Sequence, residues 1–513
     1  MGKPEWWQTR SVAVIVIVAS ALPLLWPDFP PLIDLPGHLG FYRILSEAGA
    51  MPLARHYAVH FAPIGNLGVE GLVMVLHPLL DVEAATRLVA SLIPPLTVVA
   101  MLWVAWEAHG RVPPAAFFAL PLAYALPFQL GFVNFSLAAA LSLAGLALWI
   151  RLARTARSAV RILIFVPIAG VIWLCHSFGW AMLGLFVFGA ETVIRRRQGR
   201  RALPSLLVAA ASCLPMAWPQ IAAMILGKPL VGDTGDWLDL MVKAQWIASL
   251  LRERWKPYDV ACVILLTLVL WTVVRSKRLS FLPILGAPAV LGLAAFLFLP
   301  RLYGGGAYVD MRILPFAVAL ALLSVRTDDV VTARRLAGFG VAFFAMRTAT
   351  SVVAFALFAW GQQAELAALP HIAVGSGVLS LVNEPSSASW DNPRLGQIAG
   401  FAIARNRVFS NAQWAIQGQQ LLVPLHPAAA PFDRDPSQLI YAPGSDYVRT
   451  SFDDAIASFD RHSFQYVWTI GFPPGRAHAH DLQVVWSNRR STLYRVMRTG
   501  PLVRGDAAAN PSG

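Results

Sequence analysis

Residues 34–38 read Asp34-Leu35-Pro36-Gly37-His38, a carboxylate and an imidazole set just after the first long apolar run of the chain, residues 11–26. Ionisable groups beside a lipid-spanning segment are costly unless they are paired or serve a site. The apolar run follows Lys3 and Arg10 and ends at Trp26-Pro27. Ala19-Ser20-Ala21 has the small-residue spacing of a signal-peptidase site. The chain continues as a series of further apolar runs, so the segment reads as an uncleaved anchor. Residues 28–60 then form an exported loop. Pro36 suits the first turn of a helix, and Gly37 through Ala50 continue it. Leu39, Tyr42, Ile44, Leu45 and Ala48 give it an apolar side, and His38, Arg43 and Glu47 a polar one. Such a helix is expected to lie along the membrane interface.

The rest of the composition agrees with a membrane setting. The 513 residues are 57% hydrophobic and only 13% charged, with a mean hydropathy of +0.58. A soluble chain carries about 25% charged residues. A net charge of +13 would point to nucleic acid in a soluble protein. Here the arginines gather in short clusters without interleaved aromatics, so nucleic acid is excluded as a partner and lipid is the expected surrounding. Cys175, Cys213 and Cys262 lie in or beside apolar spans with no C-x-x-C spacing, and read as small core residues.

Basic clusters fix the expected topology. They are Lys3/Arg10; Arg151, Arg154, Arg157 and Arg161; Arg195–Arg197 with Arg200 and Arg201; Arg275, Lys277 and Arg278; and Arg326 with Arg334 and Arg335. Placing all of them inside requires an even number of crossings between neighbouring clusters. The segments 84–106, 115–129 and 134–150 satisfy this after the anchor, provided that 66–80, short and carrying Glu70 and His77, is not counted. Then come 162–175 and 178–194 around an outer turn at His176-Ser177, 203–222 and 259–275, 280–300 and 312–326, and 336–360. The expectation is a polytopic α-helical membrane protein of about eleven spans, N-terminus inside and C-terminus outside, in a bacterial inner membrane. Residues 1–360 make the helical domain. Residues 361–504 read as a small extracytoplasmic (periplasmic) α/β domain, with strands at 374–381 and 465–470, helices at 395–405 and 452–458, and a closing strand pair at 483–486 and 492–496. Gly396 and Gly400 weaken the first of those helices. The tail 505–513 reads as disordered.

An anchor, an exported loop holding an acidic residue, many spans and an outer C-terminal domain together resemble the GT-C superfamily of membrane glycosyltransferases. The residues that carry the resemblance are Asp34-Leu35-Pro36-Gly37-His38. It implies transfer of a sugar from a polyprenyl-phosphate donor to an acceptor at the outer face, with inversion at the anomeric carbon; the acceptor is not identified. Such a reaction needs a base for the acceptor hydroxyl, the role the resemblance gives to Asp34. It also needs positive charge on the departing phosphate, which arginine supplies through its planar fork. In some members a divalent cation does that work. Arg301 and Arg312 flank Leu302-Tyr303-Gly304-Gly305-Gly306 and are the phosphate candidates, and the three glycines let backbone N–H groups approach an anion closely. Arg43, His38, His176 and Tyr303 complete the candidate substrate-binding set. Many members carry two adjacent acids in this loop, whereas Asp34 is followed by Leu35; Asp233, Asp236 and Asp239 are the alternative sources of a second carboxylate.

Each residue has a plainer reading. Asp34 equally suits the N-cap of the helix beginning at Pro36. His38 reads as an interfacial histidine, His176 as a polar turn residue, and Arg301 and Arg312 as headgroup anchors. Asn134, inside an apolar run, reads as a hydrogen-bonding link between helices. Two rival functions stand beside the transferase. A transporter or flippase needs ionisable groups near the bilayer midplane, where this chain is bare. A scaffold would tolerate substitution of Asp34, His38 and Arg301.

Overall fold

A computed structural model describes residues 5–226, 232–304, 306–384, 389–391, 394–416, 420–441 and 450–497. The expected tail 505–513 lies outside these residues. Among them, seven helical stretches are long and apolar enough to cross a membrane: Val82–His109, Val133–Thr155, Ser158–Cys175, Ser177–Arg197, Ala202–Leu226, Lys256–Arg275 and Val330–His371. Arg10–Leu25, Ala116–Gln129 and Pro283–Phe298 are shorter apolar helical stretches, as is Leu314–Leu323. The chain is a multi-pass membrane protein.

Local chemistry sets the helix ends. Asp81 caps Val82–His109 by accepting from the Glu83 N–H at 3.0 Å, and Gly110 closes it at φ +71°. Residues 115–129 are not the continuous helix expected from their hydropathy. They break into Ala116–Ala119, a 3-10 turn at Leu120–Tyr124 and Leu126–Gln129. Pro121 and Pro127 supply no backbone donor at the breaks. The Leu126 N–H, freed at one break, donates to the Leu250 carbonyl at 3.2 Å, and the buried Tyr124 hydroxyl donates to the Ser20 carbonyl at 2.7 Å. Within 66–80 the helix is only Gly68–Leu76, nine residues or about 13 Å. Asn134 pins it, accepting from the Val69 N–H at 2.7 Å and donating to Glu70 Oε1 at 3.0 Å. The three cysteines are free thiols.

The basic clusters meet at one end of the helical body. Arg195 donates to Ser158 Oγ at 3.0 Å, Arg334 pairs with Glu5 at 3.1 Å, and Arg278 lies 3.8 Å from Asp329. At that end, too, the terminal His109 of one helix bonds the Leu323 carbonyl of another at 2.8 Å.

The strands are β1 (Tyr57–Val59), β2 (Ser280–Phe281), β3 (Val325–Arg326), β4 (Gly377–Glu384), β5 (Phe409–Ser410), β6 (Leu422–Pro424), β7 (Leu439–Tyr441), β8 (Tyr466–Ile470), β9 (Leu482–Ser487) and β10 (Ser491–Val496). The main sheet runs β5-β4-β8-β10-β9, with β7 also on β4. β4 is parallel to β5, β7 and β8, while β10 is antiparallel to β8 and β9. The helices of this region are Gly400–Asn406, starting later than expected, and Phe452–Ser458, over its expected residues.

The loop 28–60 belongs as much to this C-terminal region as to the spans. β1 pairs antiparallel with β6, Ala58 opposite Val423, and His56 Nδ1 lies 2.8 Å from His426 Nε2. The expected interfacial helix forms at Leu35–Ser46, but it is buried on most of its circumference, including Leu35, Leu39, Tyr42, Arg43 and Ile44. It is a sandwiched helix with no free polar face. Gly400–Asn406 crosses it so closely that a Cβ on Gly400 would stand 1.8 Å from the Pro36 carbonyl oxygen. The glycine that weakens the helix signal is what permits the crossing.

Candidate functional site

A cavity of about 2350 Å³ opens between the helical body and the C-terminal region. Asp34, His38, His176, Arg301, Tyr303 and Arg312 all line it, although they are far apart in sequence. Arg43 does not. Its guanidinium donates to Asp81 Oδ1 at 2.7 Å and to Glu47 Oε1 at 3.2 Å, and it braces the helix that carries Asp34.

Asp34 is held by backbone. Its N–H donates to the Leu130 carbonyl at 2.9 Å and that of Ile33 to Gln129 at 3.3 Å. Gly131, at φ +91°, makes room, since a Cβ there would lie 2.7 Å from the Asp34 nitrogen. Asp34 sits at the N-cap position of Leu35–Ser46, yet its side chain makes no capping hydrogen bond. The carboxyl is directed to the cavity instead. Burial pushes it up to about 8, the like charge of Asp435 adds to this, and Arg312 opposes both.

Arg312 lies on the 3-10 turn Asp310–Arg312 just before Leu314–Leu323. Its own loop orients it: Nε donates to the Tyr308 carbonyl at 3.2 Å and Nη2 to that of Ala307 at 3.2 Å. The guanidinium lies 4.3 Å from the centre of the Phe132 ring. Nη1 lies 3.1 Å from His176 Nε2. On its other side, His176 Nδ1 accepts the Phe178 N–H at 3.1 Å and so caps Ser177–Arg197. A neutral imidazole has one donor and one acceptor. With Nδ1 accepting, Nε2 carries the proton, and Arg312 has only donors. The guanidinium and the imidazole N–H thus lie side by side on the cavity wall, donors whose complement is an anionic oxygen.

The other candidates are placed differently. Arg301 Nε donates to Asp236 Oδ2 at 2.9 Å on the cavity rim. Tyr303 is 49% exposed and stands edge-on to Phe178 at 6.2 Å. The glycines beside it were expected to offer N–H groups to an anion. The Gly304 N–H instead donates to Thr234 Oγ1 at 2.9 Å, and the Gly306 N–H to the Tyr303 carbonyl at 2.9 Å; Gly305 lies outside the described residues. Asp239 caps Leu240–Ala248 through the Met241 N–H at 3.0 Å. Neither it nor Asp236 lines the cavity as a second carboxylate. His38 packs against Trp414, ring centres 5.0 Å apart, and burial lowers it to about 4, so it is neutral.

Several lining residues had no signal in the sequence. Asp435, Trp414, Glu384 and Arg394 reach the cavity from the C-terminal region. Burial raises Glu384 to about 7. Arg394 ties the wall together, donating to the Pro31 carbonyl and to Gln129 Oε1, both at 2.7 Å. Among the described residues no group of three or more His, Cys, Asp or Glu is placed to hold a metal ion.

Fold and cavity together define a multi-pass membrane protein whose lipid-embedded body and C-terminal α/β region share one large chamber. No family model matches the chain, and no curated protein matches it. Solved structures align with it along almost its whole length. ArnT from Cupriavidus metallidurans in the apo state is 13% identical, covering 94% of this chain and 96% of its own, with a TM-score of 0.49. The same protein bound to undecaprenyl phosphate is 15% identical over 95% and 98%, with a TM-score of 0.45. The arabinofuranosyltransferase AftD from mycobacteria is 13% identical over 96% of this chain and 42% of its own, with a TM-score of 0.45.

Proposed function

We propose that the chain is a GT-C type glycosyltransferase that moves a sugar from a polyprenyl-phosphate donor to an acceptor hydroxyl at the outer face of a bacterial inner membrane. The observation that carries this is the meeting of Arg312 Nη1 and His176 Nε2, 3.1 Å apart, in the cavity that also holds Asp34. An arginine and a histidine N–H side by side suit an anionic oxygen, and Asp34 on the same cavity is the base.

In this reading the donor phosphate lies against Arg312 and His176. The acceptor oxygen attacks the anomeric carbon while its proton passes to Asp34. The carbon–oxygen bond to phosphate breaks with its electron pair on the phosphate, where Arg312 stabilises the charge. Arg301, neutralised by Asp236, serves the rim rather than the reacting phosphate. The basic end of the body faces the cytoplasm, the chain crosses the membrane about eleven times, and the cavity with the C-terminal region faces the periplasm.

Purified protein in lipid nanodiscs, given a panel of polyprenyl-phosphate sugars, tests the reading. Wild type releases polyprenyl phosphate and glycosylates an acceptor, while Asp34→Asn inserts normally and loses transfer by about 10³-fold or more. Full transfer by Asp34→Asn would remove Asp34 from the mechanism.

A further inference from the structure

We infer that Asp435 and Trp414 of the C-terminal region form the acceptor subsite of this cavity, and that the acceptor they take is a neutral sugar. The inference rests on the transferase reading above and specifies its second substrate.

Both residues line the cavity with Asp34, and the packing fixes all three in one frame. The Asp435 N–H donates to the Gln413 carbonyl at 2.9 Å. Gln413 Nε2 in turn donates to the Gly37 carbonyl at 3.1 Å, on the first turn after Asp34. Asp435 Oδ1 accepts from Gln397 Nε2 at 2.7 Å and from Gln438 Nε2 at 2.6 Å. All three glutamines are buried, so the carboxylate is held by rigid amides. Trp414 lies over the same turn. A Cβ on Gly37 would meet its Cη2 at 2.7 Å, and its ring centre is 5.0 Å from that of His38. The indole itself is only half-buried.

A half-exposed indole beside a fixed carboxylate matches the two-sided chemistry of a sugar. The C–H face of the ring packs on the aromatic plane, and hydroxyls donate to the carboxylate, which only accepts. An acceptor carrying phosphate here would set its charge against Asp435, which argues for a neutral one. During transfer one acceptor hydroxyl gives its proton to Asp34 and bonds the anomeric carbon. A neighbouring hydroxyl donates to Asp435, which ends the step unchanged.

The test uses the full chain in nanodiscs with a polyprenyl-phosphate sugar, methyl glycosides as acceptor probes and their phosphorylated counterparts. In Asp435→Asn the amide oxygen still accepts from both glutamines, so the frame survives. We expect its acceptor KM to rise about tenfold or more, with donor KM unchanged. Loss of the like charge also moves the acid limb of the rate profile to lower pH. Asp435→Glu restores that limb but not the acceptor KM. If Asp435→Asn fails to accumulate, Trp414→Phe raises the same KM through a smaller platform. Wild-type turnover with an unchanged acceptor KM in Asp435→Asn and Trp414→Phe, or a preference for the phosphorylated probes, overturns this inference alone. No turnover of any lipid-phosphate sugar by wild type overturns the transferase reading with it.

Discussion

Asp34 and Arg312 lie in each other's field across the cavity: the guanidinium favours the ionised carboxylate, and the carboxylate favours the charged guanidinium. Burial works against both, and for Asp34 it wins, leaving the carboxyl at about 8. A base must be ionised to act. Transfer is therefore expected to rise about tenfold per pH unit below about 8 and to level off above it. Arg312→Gln removes the opposing charge and moves that limb upward. The measurement is kcat/KM for the donor from pH 5.5 to 9.5. A flat profile between 6 and 8 would separate Asp34 from proton transfer.

Donor binding is expected to divide between Arg312 and His176. Arg312→Gln removes the positive charge and the guanidinium fork, leaving a shorter neutral amide beside Nε2–H of His176. Each hydrogen bond to an ionised group is worth about 1.5–3 kcal/mol, so binding of polyprenyl phosphate weakens about 10- to 100-fold. His176→Phe weakens it less than Arg312→Gln, since the positive charge remains. Arg301→Gln, whose partner is Asp236, changes it little. Titration of each variant with polyprenyl phosphate checks the order. A larger loss in Arg301→Gln than in Arg312→Gln would reassign the clamp.

The membrane body was largely legible because lipid imposes length and hydropathy on each span, and arginine clusters mark its ends. Asn134 and the turn at His176 followed from the same logic. Where hydropathy alone guided the reading, details slipped: 115–129 is apolar throughout, yet its prolines break it. The short strands β1, β5, β6 and β7, of two or three residues, are too brief to show alternation. Their loss hid the link between residues 28–60 and the C-terminal region. With it went Asp435 and Trp414, which reach Asp34 only through that link. The three-glycine loop misled in the other direction, because glycine marks conformational freedom without saying which partner its N–H will find.

Gly400 offers a test of whether that link positions the chemistry. A Cβ there would meet the Pro36 carbonyl at 1.8 Å and the Gly37 nitrogen at 2.9 Å, both backbone atoms that cannot swing aside. Gly400→Ala is expected to force the C-terminal region away from Leu35–Ser46, at a cost of about 1–3 kcal/mol. The thermal midpoint falls, and transfer falls further than stability does, because Asp34 and Asp435 part. Gly338, in Val330–Leu366, has nothing within 4 Å of its added Cβ. Gly338→Ala is the matched control and leaves both midpoint and transfer in place. If Gly400→Ala keeps wild-type kcat/KM at 25 °C, the two halves of the cavity need not be held this tightly for transfer to occur.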